Sequence, residues 1–469
     1  MKTSSPSTNH PKFVVVGHPN KGKSSIVSTL TLNDTVQISD TPGTTKKSRS
    51  FVLKQDDKIY YELIDTPGFQ RSRKVLKYLK SFGDVEAQKR PELLKNFLDE
   101  YEDDERFIDE VELIRPIVEG AGIIYVVDAS KPYSNEYEAQ MEILRYSAQP
   151  SMAILNYIGE DDYTKEWDMV LGQYFRLVKK FDPLNSEFSD HIDLLEAMSH
   201  LYEPWQKSMK EAIALLSDYN KTTINSISKL ISQLMADALS LSITKKIYSS
   251  SKMVQDELKG EFQLSLKSLE QNFQKAVLEK LSFTNLDYKI EDKTLEYDLF
   301  SEQSRDIFGL SRERLILIST TSGALMGTGV DALLGGASLL LGTVIGGIIG
   351  AGSAIYGYEE LAKIKFISTN KMKIGPIKDI NFGFILLNRA LIFTIKLLHK
   401  THADRKEEFF KYDKEFLEEL IDSKTLRELE KLHIKFKKED IKENIEQYVK
   451  IVTLLLKIKV KVKAGYADT

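Results

Sequence analysis

The chain has no cysteine in 469 residues, which excludes disulfides and thiolate metal sites and fits a reducing compartment. It has little net charge: 65 basic against 69 acidic side chains leave a formal −4, so no global field points to nucleic acid. Residues 1–11 lack an apolar core, are not read as a signal peptide, and are expected to be a disordered tail. Proline is missing from residues 205–375, which permits long uninterrupted helices. Between Leu315 and Tyr358 charge itself is missing, apart from Asp331. The length predicts two or three domains with separate cores.

What is present begins with Gly17-His18-Pro19-Asn20-Lys21-Gly22-Lys23-Ser24, a full match to the phosphate-loop pattern Gly-x-x-x-x-Gly-Lys-Ser/Thr. The β-branched run Phe13 to Val16 leads into it, and the residues from Ser25 to Leu30 can continue as a helix. Glycines Gly17 and Gly22 let backbone N–H groups curl around a phosphate, and the helix N-terminus adds positive field. Lys23 is placed to reach β- and γ-phosphates, and the Ser24 hydroxyl to ligate Mg²⁺. This predicts a nucleoside-triphosphate site.

Residues 39–47, which include Thr41-Pro42-Gly43-Thr44-Thr45, form a turn-rich stretch before a strand near residues 50–53. A threonine there can put its hydroxyl on Mg²⁺ and its N–H on the γ-phosphate. Thr45 is the first candidate and Thr44 the alternative. A second strand, residues 60–64, runs into Asp65-Thr66-Pro67-Gly68. Asp65 would hold Mg²⁺ through water, and the Gly68 N–H would sense the γ-phosphate. Further strands at residues 123–128 and 152–156, with a helix at 136–146 between them, predict a mostly parallel sheet with helices on both faces. Ligands then bind at the carboxyl ends of its strands.

These motifs, with the Tyr125-Val126-Val127-Asp128-Ala129-Ser130 strand end, resemble the Era/TrmE/Der-type bacterial GTPases. The stretch from Asn156 through residues 171–175 resembles bacterial GTPases fused to a C-terminal domain of unknown function. The resemblance implies GTP and GDP as ligands, Mg²⁺ as cofactor, and Asn156 as the start of the guanine-reading loop. It also implies a K⁺ ion on Asn20 in place of an arginine finger; an Asn capping its own loop is the alternative. One departure is plain. The family's Asn-Lys-x-Asp is here Asn156-Tyr157-Ile158-Gly159, so the carboxylate comes from Glu160, Asp161 or Asp162, or from none of them. Phe69 stands where Ras-like enzymes have their water-positioning glutamine, and Gln70 is a weaker substitute; Arg71 and Arg73 are either arginines that act in trans or ordinary exposed arginines at a helix start. Residues 69–120 exceed a minimal domain and predict a helical insert. Its acidic run, 99–112, is either a solvated helix face or a part that moves with the second switch.

The remainder is expected to be mainly helical. Residues 204–310 carry apolar positions at helical spacing, Ile224, Ile227, Ile231 and Leu234 among them, and predict long amphipathic helices. Residues 311–360 hold eleven glycines, with Gly342, Gly346, Gly350 and Ala354 every four residues. That zipper of small side chains lets helix backbones approach closely. The 26 residues 332–357 suffice to span a bilayer, whereas the 16 of 315–330 fall slightly short of the roughly 17 required. Basic residues on both flanks favour a hairpin with both ends cytoplasmic; the alternative is a hairpin sheathed in protein. Residues 361–469 predict a small α+β part: a strand pair at 363–374, an apolar helix at 382–400, and charged helices. A lysine-alternating segment at 457–463 closes it, read as an edge strand or a lipid contact. His399 and His402 lack a third metal ligand.

The function these readings imply is a GTPase of slow intrinsic turnover, hydrolysing GTP to GDP and phosphate with Mg²⁺ and K⁺ stimulation. Its nucleotide state is coupled to a membrane-associating C-terminal half. The site residues are Gly17, Asn20, Lys21, Gly22, Lys23, Ser24, Ser25, Thr44, Thr45, Asp65, Gly68 and Asn156. Lys23, Thr45, Gly68 and Asn20 are the catalytic set; Ser24, Thr45 and Asp65 hold Mg²⁺. Membrane lipid and a nucleotide-dependent dimer are the expected partners, with no visible nucleic-acid module. The cytoplasm and the face of the cytoplasmic membrane are the expected location. The alternative is a nucleotide-gated interaction or pore-forming protein with negligible turnover.

Overall fold

The computed structural model describes residues 10–30, 38–42, 48–159, 161–183, 186, 188–246, 252–281, 297–319, 361–368, 370–399, 418–437 and 441–462. Residues 1–9 of the expected tail, the threonines Thr44 and Thr45, Glu160, His402 and nearly all of the glycine-rich block lie outside these residues. The tail's last two residues are ordered against Glu62, with His10 Nε2 3.3 Å from Glu62 Oε2 and Pro11 O accepting from Glu62 N at 2.9 Å. The described chain forms two compact units, the first running to Tyr219 and the second from Asn220.

The first unit contains β1 (Lys12–Gly17), α1 (Lys23–Leu30), β2 (Ile38–Pro42), β3 (Arg49–Gln55) and β4 (Lys58–Asp65). Three helices follow, α2 (Ser72–Lys80), α3 (Arg90–Tyr101) and α4 (Ile108–Val118). Then come β5 (Gly122–Asp128), α5 (Asn135–Tyr146), β6 (Ser151–Asn156), α6 (Thr164–Tyr174), β7 (Val178–Lys180), α7 (Phe188–Ser199) and the first part of α8 (Gln206–Ser240). The sheet order is β2-β3-β4-β1-β5-β6-β7. From β4 to β7 neighbouring strands are parallel, and β2 and β3 form an antiparallel edge. Alternation along β1 builds both cores: Val14 and Val16 pack into one, Phe13 and Val15 into the other. The carboxyl ends of β1, β4, β5 and β6 therefore emerge side by side. Two expectations change here. Residues 39–42 of the turn-rich stretch are strand, because β2 registers against β3 from Ile38↔Leu53 to Pro42↔Arg49. The sequence segment Phe175 to Phe181, read as a whole strand from its apolar ends, keeps only Val178–Lys180 as strand, since Phe175 N donates to Leu171 O and closes α6.

The second unit contains the rest of α8, β8 (Ile243–Lys246), α9 (Lys252–Lys280), α10 (Glu302–Phe308) and α11 (Arg312–Ser319). It continues with β9 (Ile364–Ser368), β10 (Lys371–Ile374), α12 (Ile380–His399), α13 (Ser423–Phe436) and α14 (Ile441–Val462). β8, a strand inside the stretch expected to be helical, joins the foreseen pair in an antiparallel sheet ordered β8-β10-β9. α12 is long and apolar enough to cross a membrane, yet 89% of that span is buried within the protein. Its Arg389 is buried too, and bonded to Glu270, so α12 is the central core helix of this unit. The edge strand expected at 457–463 is instead the end of α14, through Val462. Tyr448, Ile451, Val452, Leu455 and Leu456 form a buried stripe at helical spacing, and the helix they set carries on through the lysines.

Candidate nucleotide site

β1 delivers the chain to Gly17 at the sheet's carboxyl edge, and the loop then turns back into α1 through Asn20 (φ 58°) and Gly22 (φ 85°). Gly22 is required twice over. Its φ is left-handed, and a Cβ there would sit 2.1 Å from Asn156 Nδ2. Gly68 is required by approach alone: a Cβ would meet Pro19 N at 2.5 Å, so the Asp65–Gly68 turn lies directly on the loop. Phe69 N donates to Gly17 O at 3.1 Å, and Thr66 Oγ1 to Val15 O at 2.8 Å, fixing that contact.

Lys23 is buried, and its Nζ donates to His18 O at 3.0 Å across the loop. Burial lowers its pKa to about 8, with Asp65 pulling the other way. Ser24 Oγ donates to Asp65 Oδ2 at 2.8 Å. Asp65 Oδ1 is buried and has no hydrogen-bond partner among the described residues. Burial pushes the Asp65 carboxyl above its ordinary range, and the Ser24 hydroxyl and the Lys23 ammonium oppose it. An ammonium, a hydroxyl and a carboxylate with an open oxygen fit a phosphate and a hard divalent cation. Ser25 is half-buried in the first turn of α1. Asn20 is exposed and holds a left-handed turn position that suits asparagine, so both readings of it remain open.

On the base side, Asn156 Nδ2 donates to Lys21 O at 2.9 Å, joining β6 to the phosphate loop. Sequence reading placed Lys21 in the loop but missed its charge partner. Lys21 Nζ lies 3.3 Å from Asp128 Oδ2 at the end of β5, with both groups buried. Asp128 Oδ1 accepts from Ser130 N at 3.1 Å and Ser130 Oγ at 2.5 Å, and Ser130 Oγ accepts from Gly159 N at 3.0 Å. Burial pushes the Asp128 carboxyl up, but Ser130 and Lys21 outweigh it and hold it below the usual range. Three loops are thus bonded into one frame. Of the carboxylates considered for base reading, Asp162 accepts from Thr164 N at 2.8 Å and is committed to the start of α6. Asp161 is exposed. Beside Tyr157 a cleft of about 300 Å³ opens, lined also by Lys179, Phe181, Asp182 and Asp193.

The acidic run contains the other residues that sequence reading missed. Most of it is solvated, but Glu110 and Glu112 on α4 are buried. Glu110 Oε1 accepts from Gln70 N at 2.8 Å and from Arg71 N, just past Gly68. Glu110 Oε2 has no partner among the described residues. Burial pushes this carboxyl up, against the two amides. Glu112 Oε2 accepts from Ser48 Oγ at 2.9 Å, directly after the stretch with Thr44 and Thr45. One helix therefore holds the chain beside both expected switches. The signal was faint: two carboxylates at the apolar end of an acidic run. Arg71 donates to Arg106 O at 2.5 Å, while Arg73 is exposed.

Comparison with known proteins accounts for both units. Residues 12–157 match the profile described as 50S ribosome-binding GTPase, and residues 169–451 match a domain of unknown function, DUF3482. GTPase Der of Nitrosospira multiformis is 40% identical over 79 residues, covering 17% of this chain and 17% of that protein. GTPase Der of Tolumonas auensis is 36% identical over 76 residues, covering 16% and 15%. The chain thus matches only about a sixth of the length of these relatives. A crystal structure of a variant of Aquifex aeolicus Era bound to GDP and AlF4− covers 41% of this chain and 56% of that one. At 16% identity and a TM-score of 0.26, that likeness carries no argument. The first unit holds a P-loop GTPase domain, and with more than half its length matched by the second profile, the chain belongs to the DUF3482 family.

Proposed function

We propose that the protein binds GTP with Mg²⁺ and hydrolyses it to GDP and phosphate. The observation that carries this reading is the group Lys23, Ser24 and Asp65, with Asp65 Oδ1 open beside the Ser24 hydroxyl. Ser24 and Asp65 would hold Mg²⁺, Asp65 through water, with Thr45 or Thr44 completing the set. Bound there, the cation would neutralise charge developing between the β- and γ-phosphates. Lys23 would take its counter-charge from the triphosphate, and the loop amides would orient it. Gly68 N would report the γ-phosphate, and release of that contact would free the segment tied to Glu110. Asn20, exposed and left-handed, is the proposed K⁺ ligand, where the ion would supply the positive charge of an arginine finger. Asn156 and the cleft beside Tyr157 would receive the base.

The nucleotide state is proposed to govern attachment of the C-terminal half to the cytoplasmic membrane through residues 315–357, whose lack of charge and repeated glycines support it. A nucleotide-dependent dimer fits slow turnover by a single chain. Steady-state phosphate release with GTP or ATP, in K⁺ or Na⁺, tests the enzymatic part: GTP-selective, K⁺-raised turnover is expected, and equal ATP turnover would overturn guanine preference. Flotation of the full chain and of a 315–357 deletion with liposomes, in GDP or a non-hydrolysable GTP analogue, tests the membrane part. Only the full chain should rise fully, to a nucleotide-dependent extent; if neither rises, this part is wrong. One observation favours the second reading, a nucleotide-gated protein without turnover: the residue after Gly68 is Phe69, buried in the core where it cannot orient water.

A further inference from the structure

The small sheet of the second unit carries a charge pattern that its packing does not explain. On central strand β10, Met372 and Ile374 are buried, so Lys371 and Lys373 face the other way. The register sets Lys371 opposite Lys246 on β8, and Lys373 opposite Lys365 on β9. Directly opposed like charges destabilise a sheet. No aspartate or glutamate occurs in residues 243–246 or 361–374. Among the described residues, the nearby carboxylates are engaged elsewhere. Glu257 and Glu261 pair with Lys245, which registers with buried Met372, and Asp379 accepts from Asn381 N at 2.8 Å. Lys378 joins the group from the following loop, its N donating to Leu361 O at 2.7 Å. Lys363 and then Lys365 repel its ammonium and, with some desolvation, lower its pKa.

Lysines on an edge strand can simply protect that edge. This does not account for Lys371 and Lys373, which lie on the strand paired on both sides. Nor does it account for edge strand β9, where Phe366 and Ile367 are 58% and 55% exposed. Lysines without a carboxylate partner among the described residues, on a sheet whose edge strand exposes Ile367, match an anionic surface with an apolar interior beneath it; Phe366, which registers with buried Met372, belongs to the other face. The sequence places the charge-poor, glycine-rich run just upstream: it ends at Tyr358, and Glu359 and Glu360 separate it from Leu361 and β9.

We propose that the lysine face of the β8-β10-β9 sheet, with Ile367 at its edge, docks the second unit on a membrane rich in anionic lipid. This rests on the membrane reading above and adds the contact surface and the lipid class. The test is co-sedimentation of the full chain with vesicles of phosphatidylcholine alone or with 30 mol% (roughly one lipid in three) phosphatidylglycerol. Partners are the variants Lys365→Glu/Lys373→Glu and, as a milder pair, Lys246→Gln/Lys371→Gln. Circular dichroism and GTP binding serve as folding controls. The wild type should prefer anionic vesicles and lose that preference in high salt. The charge-reversed pair should bind them at least about tenfold more weakly, and the milder pair should fall between. If both variants, folded, bind like the wild type while the 315–357 deletion does not, this surface is wrong and the membrane reading stands. If the wild type binds no vesicle, both fail. Lysine-dependent binding of a structured RNA without vesicle binding would replace the lipid by nucleic acid.

Discussion

Two buried cations, one in each unit, show how burial can serve opposite ends. Arg389 of the second unit is closed in completely. Its Nε and Nη2 meet the Glu270 carboxylate at 2.6 and 3.4 Å, its Nη1 donates to Tyr297 O and Ser304 Oγ, and its plane lies over Phe308. Lys23 of the first unit is nearly as buried but has one carbonyl, His18 O, and a carboxylate that acts only at a distance. A buried charge with its counter-ion fixed beside it is architecture. A buried charge without one is a place for something anionic to arrive. The difference lies in the inventory of partners, and burial alone does not reveal it.

The largest expected effect breaks the architectural side. Arg389→Ala leaves Glu270 uncompensated and should cost the second unit about 3–5 kcal/mol in urea unfolding, with GTP affinity unchanged. The double variant Arg389→Met/Glu270→Leu should recover most of that loss; failure to recover would give the pair a role beyond packing. Next comes Lys23→Ala, expected to weaken GTP binding about a hundredfold by titration calorimetry. The nucleotide-free protein should unfold no more easily, because the variant removes a desolvated ammonium. Normal affinity, or a stability loss like that of Arg389, would erase the contrast.

A smaller effect distinguishes the units by pH. His433, bonded through Nε2 to Tyr448 OH at 2.8 Å, has its pKa lowered to about 3, chiefly by burial. The unfolded chain protonates near 6.5 and the folded one near 3, so stability is whole above pH 6.5 and declines as pH falls towards 3. Between pH 7 and 5 the second unit should lose about 2 kcal/mol. His191 in the first unit, lowered to about 4 by burial, acts in the same direction, less strongly because its ring keeps some exposure. His433→Leu should flatten the slope of the second transition only. Smallest is Glu110→Ala, which should lower kcat about tenfold while leaving GDP affinity intact. Glu110→Gln keeps an acceptor for both amides and should restore most of the rate. Equal loss in both variants would mean that charge, not tethering, is what matters.

What could be read in advance follows the distance between partners. The phosphate loop and Asp65–Gly68 are contiguous, and their flanking strand and helix are periodic, so the parallel sheet and its edge of loops were legible. Lys21 and Asp128 are 107 residues apart, and Arg71 and Glu110 39, so nothing local announces either pair. Glu110 was submerged in an acidic run whose other members do face water. The misread segment at 457–463 went wrong for the opposite reason. Its alternation was real, but the helical stripe from Tyr448 to Leu456 sets the backbone before the lysines begin. Opposed lysines on β8, β9 and β10 needed a register, which sequence cannot supply for strands of four or five residues.

The bond from Ser24 to Asp65 has one more consequence. A serine hydroxyl is a rotor, and a rotor whose proton swings through the cation's path must be stopped before it can bind metal. Here the hydroxyl donates to Oδ2 of Asp65, so both lone pairs of Oγ face away from that carboxylate. The entropy of stopping the rotor belongs to folding of the loop and not to metal binding. In the proposed reading Asp65 would therefore act on the cation twice, once through water and once by deciding which way its neighbour looks.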